Sequence, residues 1–335
     1  MIEVIHYQRR PTTGMESVER LFEDVRNNLP KDIAAKVVIS RYTSNGFFPR
    51  LYNVLEAFVR QKNLNHITGD VHYLSVFLKH RKTILTILDC VMMERLHGFR
   101  RWVYWVLWLW LPEKRSCVIT TISESTRQQI LTYLKCDPSK VRVIYCGLSP
   151  EFNYIPKDFN EECPRLLQIG TSENKNIGRI ISAVIGMRCE LIIVGVLSSD
   201  HKKVLTAGNV SYKNFSNISR MELLSLYKYC DVVLFASTYE GFGLPIIEAN
   251  AVGRPVLTSN TWSMPEVAGN AACLVDPCKV DEIRAGILKI TADTKYRTAL
   301  IANGLENIKR FSLQNIVQQY ADIYREVSAG AELAN

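Results

Sequence analysis

The sequence predicts an α/β protein of two doubly wound domains, and three observations carry that expectation. Its 335 residues are too many for one small domain and fit two of roughly 100–200 residues each. Short apolar runs ending at Gly, Asp or Ser alternate with amphipathic stretches, the pattern of parallel strands covered by helices on both faces. That alternation occurs in two successive sets, one in each half of the chain.

The elements follow in order. MIEVIHY reads as a strand, RRPTTGMES as a loop and VERLFEDVRNNL as an amphipathic helix. KVVIS, NHITGD and TILTIL are short β-branched runs separated by helical segments. VRVIYCG closes the first set, and a stretch rich in Pro, Asn and acidic residues from Ser149-Pro150 to Pro164 marks the boundary. RLLQIG, ELIIVG, NVSYKNF, DVVLFAS and RPVLTS then form the second set. The expected domains are residues 1–150 and 151–310, followed by a C-terminal helix over 311–335. No internal repeat or low-complexity segment interrupts them.

Composition narrows the classes. A hydrophobic fraction of 47% with 22% charged residues excludes a disordered chain, a collagen and a small disulfide scaffold. No apolar run reaches the ~20 residues of a membrane-spanning helix. The N-terminus turns polar after five residues, unlike a signal peptide, so a cytoplasmic location is expected. The nine cysteines are scattered without a C-x-x-C pair, so they read as reduced, mostly buried thiols rather than zinc ligands or a disulfide framework. Charge is unevenly spread: residues 1–150 hold 22 Lys+Arg against 13 Asp+Glu, whereas residues 151–335 hold 19 against 20. The basic first half implies an anionic partner, either a phosphorylated substrate or an anionic membrane surface. Nucleic acid is not expected, because no zinc-finger spacing or RNP-like aromatic strand is present.

The most informative stretch is STYEGFGLPIIEANAVGRPVLTSN. A strand ends at Ser237, a glycine-rich turn follows, and a helix begins near Pro245, a residue suited to a first helical turn. Gly241 and Gly243 let backbone N–H groups approach a ligand, and the helix N-terminus adds positive potential. Glu240 before the turn and Glu248 within the helix supply two carboxylates. One such carboxylate accepting from two vicinal hydroxyls is how dinucleotide-binding folds hold a ribose. The plain alternative is a strand–turn–helix with a solvated Glu240 and a capping Glu248.

These residues resemble the signature of retaining glycosyltransferases of the two-domain GT-B fold, specifically the family-four (glycosyl transferases group 1) type. EGFGLPIIEANAVGRPV carries the resemblance, which continues through SMPEVAGNAACLVDP and includes LLQIGTSENKN upstream. GMESVERLF, TGDVHYL and TISESTRQQI extend it into the first half. The resemblance implies two Rossmann-like domains facing across a cleft, with the acceptor on the first, the nucleotide sugar on the second, and the C-terminal helix crossing back to the first. It implies that Glu248 binds the ribose, that Glu240 contacts the transferred sugar, and that backbone amides around Phe242, Gly243 and Leu244 hold the sugar and diphosphate. No metal is expected, and the sequence contains no D-x-D motif. The cation stabilising the leaving diphosphate is then Lys175, which follows the Gly170 turn. Where family members usually pair Arg with Lys, this chain has Asn174-Lys175-Asn176, which leaves Arg179 as a weaker second cation. Gly14, in the first loop, is expected near the donor phosphates or acceptor; Arg9 and Arg10 are acceptor-phosphate candidates or plain surface arginines.

The chain departs from the family in KTILTILDCV, where Leu88 stands at the usual His position and only Asp89 remains. His72 is the candidate replacement, with a buried structural histidine as the alternative; Asp70 is an active-site carboxylate or a loop cap. Trp102 to Leu111 form ten consecutive apolar residues flanked by Arg100-Arg101 and Lys114-Arg115. This run is either a core helix or the face that docks on an anionic membrane to reach a lipid-linked acceptor. The expected reaction moves a hexose-type sugar to a glycan or polyprenyl-linked acceptor in cell-surface polysaccharide synthesis. A UDP-sugar is the favoured donor and GDP-mannose the second. The alternatives are a sugar-nucleotide epimerase of the same fold and a non-catalytic nucleotide-sugar-binding protein.

Overall fold

The computed structural model describes residues 1–10 and 17–332. It divides into two compact units, 1–147 with 313–335, and 148–312. The chain leaves the first unit at Gly147 and re-enters it at Leu313. At this junction the Leu148 N–H donates to the Phe311 carbonyl at 2.8 Å.

The first unit is a six-stranded parallel sheet in the order β2-β1-β3-β4-β5-β6. Its strands are β1 (Ile2–Gln8), β2 (Ile33–Ile39), β3 (Leu64–Ile67), β4 (Thr83–Ile87), β5 (Val118–Thr121) and β6 (Val141–Val143). Strands β3, β4 and β5 are buried along their whole length; β4 and β5 accordingly show no polar–apolar alternation, whereas β3 carries Asn65 and His66 inside. One row across this sheet is nevertheless polar. His6 on β1 lies beside His66 on β3, and Thr86 on β4 lies beside Thr120 on β5. The C-terminal helix Leu313–Glu332 covers them with Tyr320 and Tyr324. The Tyr324 hydroxyl lies 2.8 Å from both His6 Nε2 and His66 Nδ1, and His66 Nε2 lies 2.7 Å from the Thr86 hydroxyl. A buried polar row of this kind is tolerated because its members satisfy one another.

The tryptophan-rich run is one continuous helical stretch: Gly98–Tyr104, a wider π-turn over Trp105–Trp110, and Leu111–Lys114. Trp108 and Leu109 are buried and pack in the first core, whereas Trp102 is exposed and stacks on Phe99. The run is thus neither a wholly buried helix nor a wholly exposed face. Among the described residues no helix is long and apolar enough to cross a membrane.

The second unit repeats the architecture with the order β12-β11-β10-β7-β8-β9, again all parallel. Its strands are β7 (Arg165–Ile169), β8 (Glu190–Val194), β9 (Ser211–Phe215), β10 (Val232–Phe235), β11 (Val256–Ser259) and β12 (Ala272–Val275). The core joins β7, β8 and β10 to Ile180 and Ile181 on one helix and Ile283 and Ile287 on another. Two successive parallel α/β sheets are the GT-B type of architecture that the sequence predicts.

Candidate functional site

In the second sheet β7 and β10 are neighbours, but the chain continues outward from them in opposite directions, through β8 and β9 on one side and β11 and β12 on the other. Loops leaving the carboxyl ends of such a strand pair diverge and open a crevice, which is where open α/β sheets bind ligands. The two loops here are 170–176 and 236–243.

The first loop is built around Gly170, whose φ is +87°. A Cβ at that position would lie 2.9 Å from Lys175 Cγ, so glycine lets the Lys175 stem fold back across the turn. The loop ends at buried Asn176, itself left-handed at φ +59°, a conformation that Asn tolerates better than most residues. Its side-chain amide donates to the Ala236 carbonyl at 2.9 Å and the Pro277 carbonyl at 2.6 Å. Asn176 thereby ties this loop to those that follow β10 and β12. Arg179 donates to Asn176 Oδ1 at 2.9 Å, so its guanidinium supports that joint.

Lys175 Nζ forms an ion pair with Glu240 Oε1 at 2.7 Å, and Asn174 Nδ2 donates to the same oxygen at 3.2 Å. The Thr238 N–H donates to the Asn174 carbonyl at 2.8 Å, which aligns the two loops. The ammonium also sits 4.7 Å from the centre of the Phe235 ring. With side-chain exposures of 21% and 15%, the pair is partly withdrawn from water yet open to a ligand. The Ser263 hydroxyl braces the turn, lying 2.9 Å from the Glu240 carbonyl and 2.7 Å from the Phe242 carbonyl with its single proton shared between them. Its neighbour Trp262 holds φ +56°, with its ring 4.7 Å from that of Tyr239. A bulky side chain in the left-handed region is a strained arrangement found mostly at functional sites.

Gly241 and Phe242 lead from Glu240 to Gly243, the residue before the helix Leu244–Val252. Gly243 has φ +118°, and a Cβ there would come within 3.0 Å of Ile246 Cδ1 and 3.3 Å of the Phe235 ring. The helix begins without a side-chain cap and with Pro245 in its first turn, so its amide ends are suited to an anion. Glu248 lies one turn further on and is half-buried. Its Oε2 accepts from the Tyr227 hydroxyl at 2.6 Å. Burial first, and then the Glu248 charge, hold the Tyr227 phenol well above its ordinary pKa, so it remains a donor.

The structure therefore gathers Gly170, Lys175, Glu240, Gly241, Phe242, Gly243 and Leu244 around one strand pair. The residues expected from the first half behave differently. His72 is buried, and its Nδ1 lies 2.7 Å from the Trp108 carbonyl. Asp89 Oδ1 accepts from the Val91 N–H at 2.9 Å, a helix-entry contact. Asp70 Oδ1 accepts from Trp108 Nε1 at 3.0 Å. Arg9 pairs with Glu19 at 2.9 Å, and Arg10 donates to the Arg41 carbonyl at 3.2 Å. Gly14 lies outside the described residues. Sequence reasoning missed the roles of Tyr227, Ser263 and Asn176. Only Asn176 left a signal, as an Asn at a turn-to-helix junction. Among the described residues no group of three or more His, Cys, Asp or Glu is arranged to hold a metal ion, and all nine cysteines are free thiols.

Comparisons with known proteins fall on the same region. Residues 154–307 match the family described as Glycosyl transferases group 1. The O-antigen chain mannosyltransferase B of Escherichia coli is 32% identical over 233 residues, covering 62% of this chain and 60% of that protein. The MMP alpha-(1->4)-mannosyltransferase of Mycolicibacterium hassiacum is 27% identical over 244 residues, covering 69% of this chain and 59% of that protein. The matches thus span about three fifths of the length of these curated relatives. Among solved structures, Anabaena HepE in complex with UDP and glucose superposes with a TM-score of 0.78 at 16% identity, covering 97% of this chain and all of that one. At that identity the likeness concerns the fold.

Proposed function

We propose that this chain is a retaining, metal-independent glycosyltransferase that moves a hexose-type sugar from a nucleotide sugar to a glycan or lipid-linked acceptor in polysaccharide synthesis. The observation that carries the reading is the Lys175–Glu240 pair at the crevice between β7 and β10, beside an uncapped helix N-terminus. It lies within the stretch that matches the glycosyl transferases group 1 family.

In this reading the donor diphosphate draws the Lys175 ammonium away from Glu240 and lies against the amides of Gly243 and Leu244. The freed Glu240 carboxylate accepts from hydroxyls of the transferred sugar, still anchored by Asn174 Nδ2. Glu248, oriented by the Tyr227 hydroxyl, accepts from the ribose hydroxyls. The bond between the anomeric carbon and the diphosphate oxygen breaks as the acceptor oxygen arrives on the same face. The acceptor's proton passes to the departing diphosphate oxygen. Lys175 and the helix amides stabilise the negative charge gathering there. His72 and Asp89, at the carboxyl ends of β3 and β4, are the acceptor-side groups of this proposal.

The two mannosyltransferase relatives favour a nucleotide-activated mannose, which moves GDP-mannose ahead of a UDP-sugar. Incubating the protein with a panel of nucleotide sugars tests the reading. Release of the nucleotide diphosphate together with a glycosylated acceptor supports transfer. An altered sugar still joined to its nucleotide indicates an epimerase, and binding without turnover indicates a non-catalytic binder.

A further inference from the structure

The helix Phe47–Arg60 turns its largest apolar side chains outward, unlike an ordinary amphipathic surface helix, while Val54 and Ala57 pack in the first core. Its buried residues are Asn53, Val54 and Ala57. The Asn53 amide donates to the Tyr42 carbonyl at 2.9 Å and the Tyr73 hydroxyl at 3.2 Å. Its large apolar side chains face outward instead: Phe48 is 79% exposed and Val59 80%, with Leu51, Leu55 and Phe58 also exposed between them. These positions recur at intervals of three and four residues and so form one stripe. Phe77, from the following segment, extends it by an edge contact with Phe58. A contiguous exposed patch of this kind marks an interaction surface.

Charge identifies the occupant. Around the stripe Arg41, Arg60 and Lys62 are exposed against a single acid, Glu56, whereas Arg50 is turned inward, 4.9 Å from the centre of the Trp108 ring. Glu56 is already paired with Arg60 at 3.0 Å. A second copy docking symmetrically would set these cations against themselves, whereas anionic headgroups complement them while the stripe enters the acyl boundary. We infer that the Phe47–Arg60 helix, rather than the tryptophan-rich run, docks this chain on an anionic lipid surface.

The test is co-sedimentation with phosphatidylcholine–phosphatidylglycerol vesicles, compared with phosphatidylcholine alone. Wild-type protein binds the anionic vesicles, and added salt weakens the binding by screening. The Phe48→Ser/Val59→Ser variant lowers the partition coefficient by roughly tenfold or more with an unchanged unfolding temperature, since both side chains are exposed. Phe99→Ser/Trp102→Ser leaves it unchanged. The inference is overturned if wild-type protein stays in the supernatant at low salt. It is also overturned if only the Phe99→Ser/Trp102→Ser variant loses binding, or if the helix variant splits a wild-type dimer that never binds vesicles. The readout needs neither donor nor turnover, so its failure leaves the transferase reading standing.

Discussion

Replacing Lys175 by Met separates chemistry from folding at the proposed donor site. Methionine keeps an unbranched stem over Gly170, where a Cβ would lie 2.9–3.3 Å from the lysine methylenes, and removes only the charge. Glu240 does not become an orphaned carboxylate, because Asn174 Nδ2 still donates to it at 3.2 Å. The lost pair is partly exposed, and pairs of that kind contribute about 0–1 kcal/mol to stability. The transition state loses far more. A unit charge 4 Å from the departing diphosphate is worth about 4 kcal/mol at an effective dielectric of 20. Removing one preorganised donor costs about 2.7–4 kcal/mol in measured cases, or roughly 100- to 1,000-fold in turnover. Nucleotide release at saturating donor and acceptor, measured beside thermal unfolding, should therefore show a loss of at least about 100-fold with little change in unfolding temperature. Turnover within about fivefold of wild type would return Lys175 to a solvated loop lysine and refute the leaving-group assignment.

Further outcomes follow from the same geometry. Glu248→Ala should weaken nucleotide binding measured by calorimetry, whereas Glu240→Ala should mainly lower turnover; unchanged donor affinity in the Glu248 variant removes the ribose assignment. Tyr227→Phe, which deletes the 2.6 Å hydrogen bond to Glu248, should raise the donor dissociation constant by roughly tenfold through a charge-assisted bond worth about 1.5 kcal/mol. His72→Ala should lower transfer while the protein stays folded; normal specific activity in a destabilised protein would make His72 purely a core residue. Acid should unfold the first unit. Burial holds His6 well below its ordinary pKa, with His66 and Arg26 adding to the effect, and lowers His66 to about 3. The unfolded chain takes up protons near pH 6.5 that the folded chain refuses, so stability is complete above that pH. Each histidine then removes up to about 1.4 kcal/mol per pH unit as the pH falls toward 3. Unfolding temperatures from pH 7.5 to 5 should fall accordingly, and His66→Gln should flatten the slope.

Much of the fold was legible because parallel strands are written as short apolar runs. Runs such as TILTI and DVVLF could be read directly as β4 and β10. β5 and β12 are only four residues each. They lie within CVITTISES and NAACLVDP, where Thr, Cys and Ala blur the apolar signal. The polar row of His6, His66, Thr86 and Thr120 was not legible either. Its meaning depends on Tyr320 and Tyr324, more than 250 positions later in the chain than His66, and sequence pattern reports only local periodicity. The same holds for the Phe47–Arg60 helix. Its spacing announces an amphipathic helix, but spacing alone assigns the stripe of large apolar residues to the core, whereas Asn53, Val54 and Ala57 occupy the inner face.

The candidate site was legible in proportion to how locally its parts are joined. Glycines at turns and a proline at a helix start are properties of a few consecutive residues, so Gly241, Gly243 and Pro245 located one loop from sequence. The pairing of Lys175 with Glu240 joins residues 65 positions apart, and only the strand order makes them neighbours. Once β7 lies beside β10, the loop after each must end at the same edge of the sheet, and the two side chains meet there. The supports of that pair are illegible for a further reason. Ser263 acts through its hydroxyl on two backbone carbonyls, and Asn176 through its amide on two more. Backbone acceptors carry no sequence identity, so no pattern of residue types announces which serine or asparagine serves them. A site whose charged groups face a ligand but whose scaffold binds main chain will always show its chemistry in sequence before its geometry.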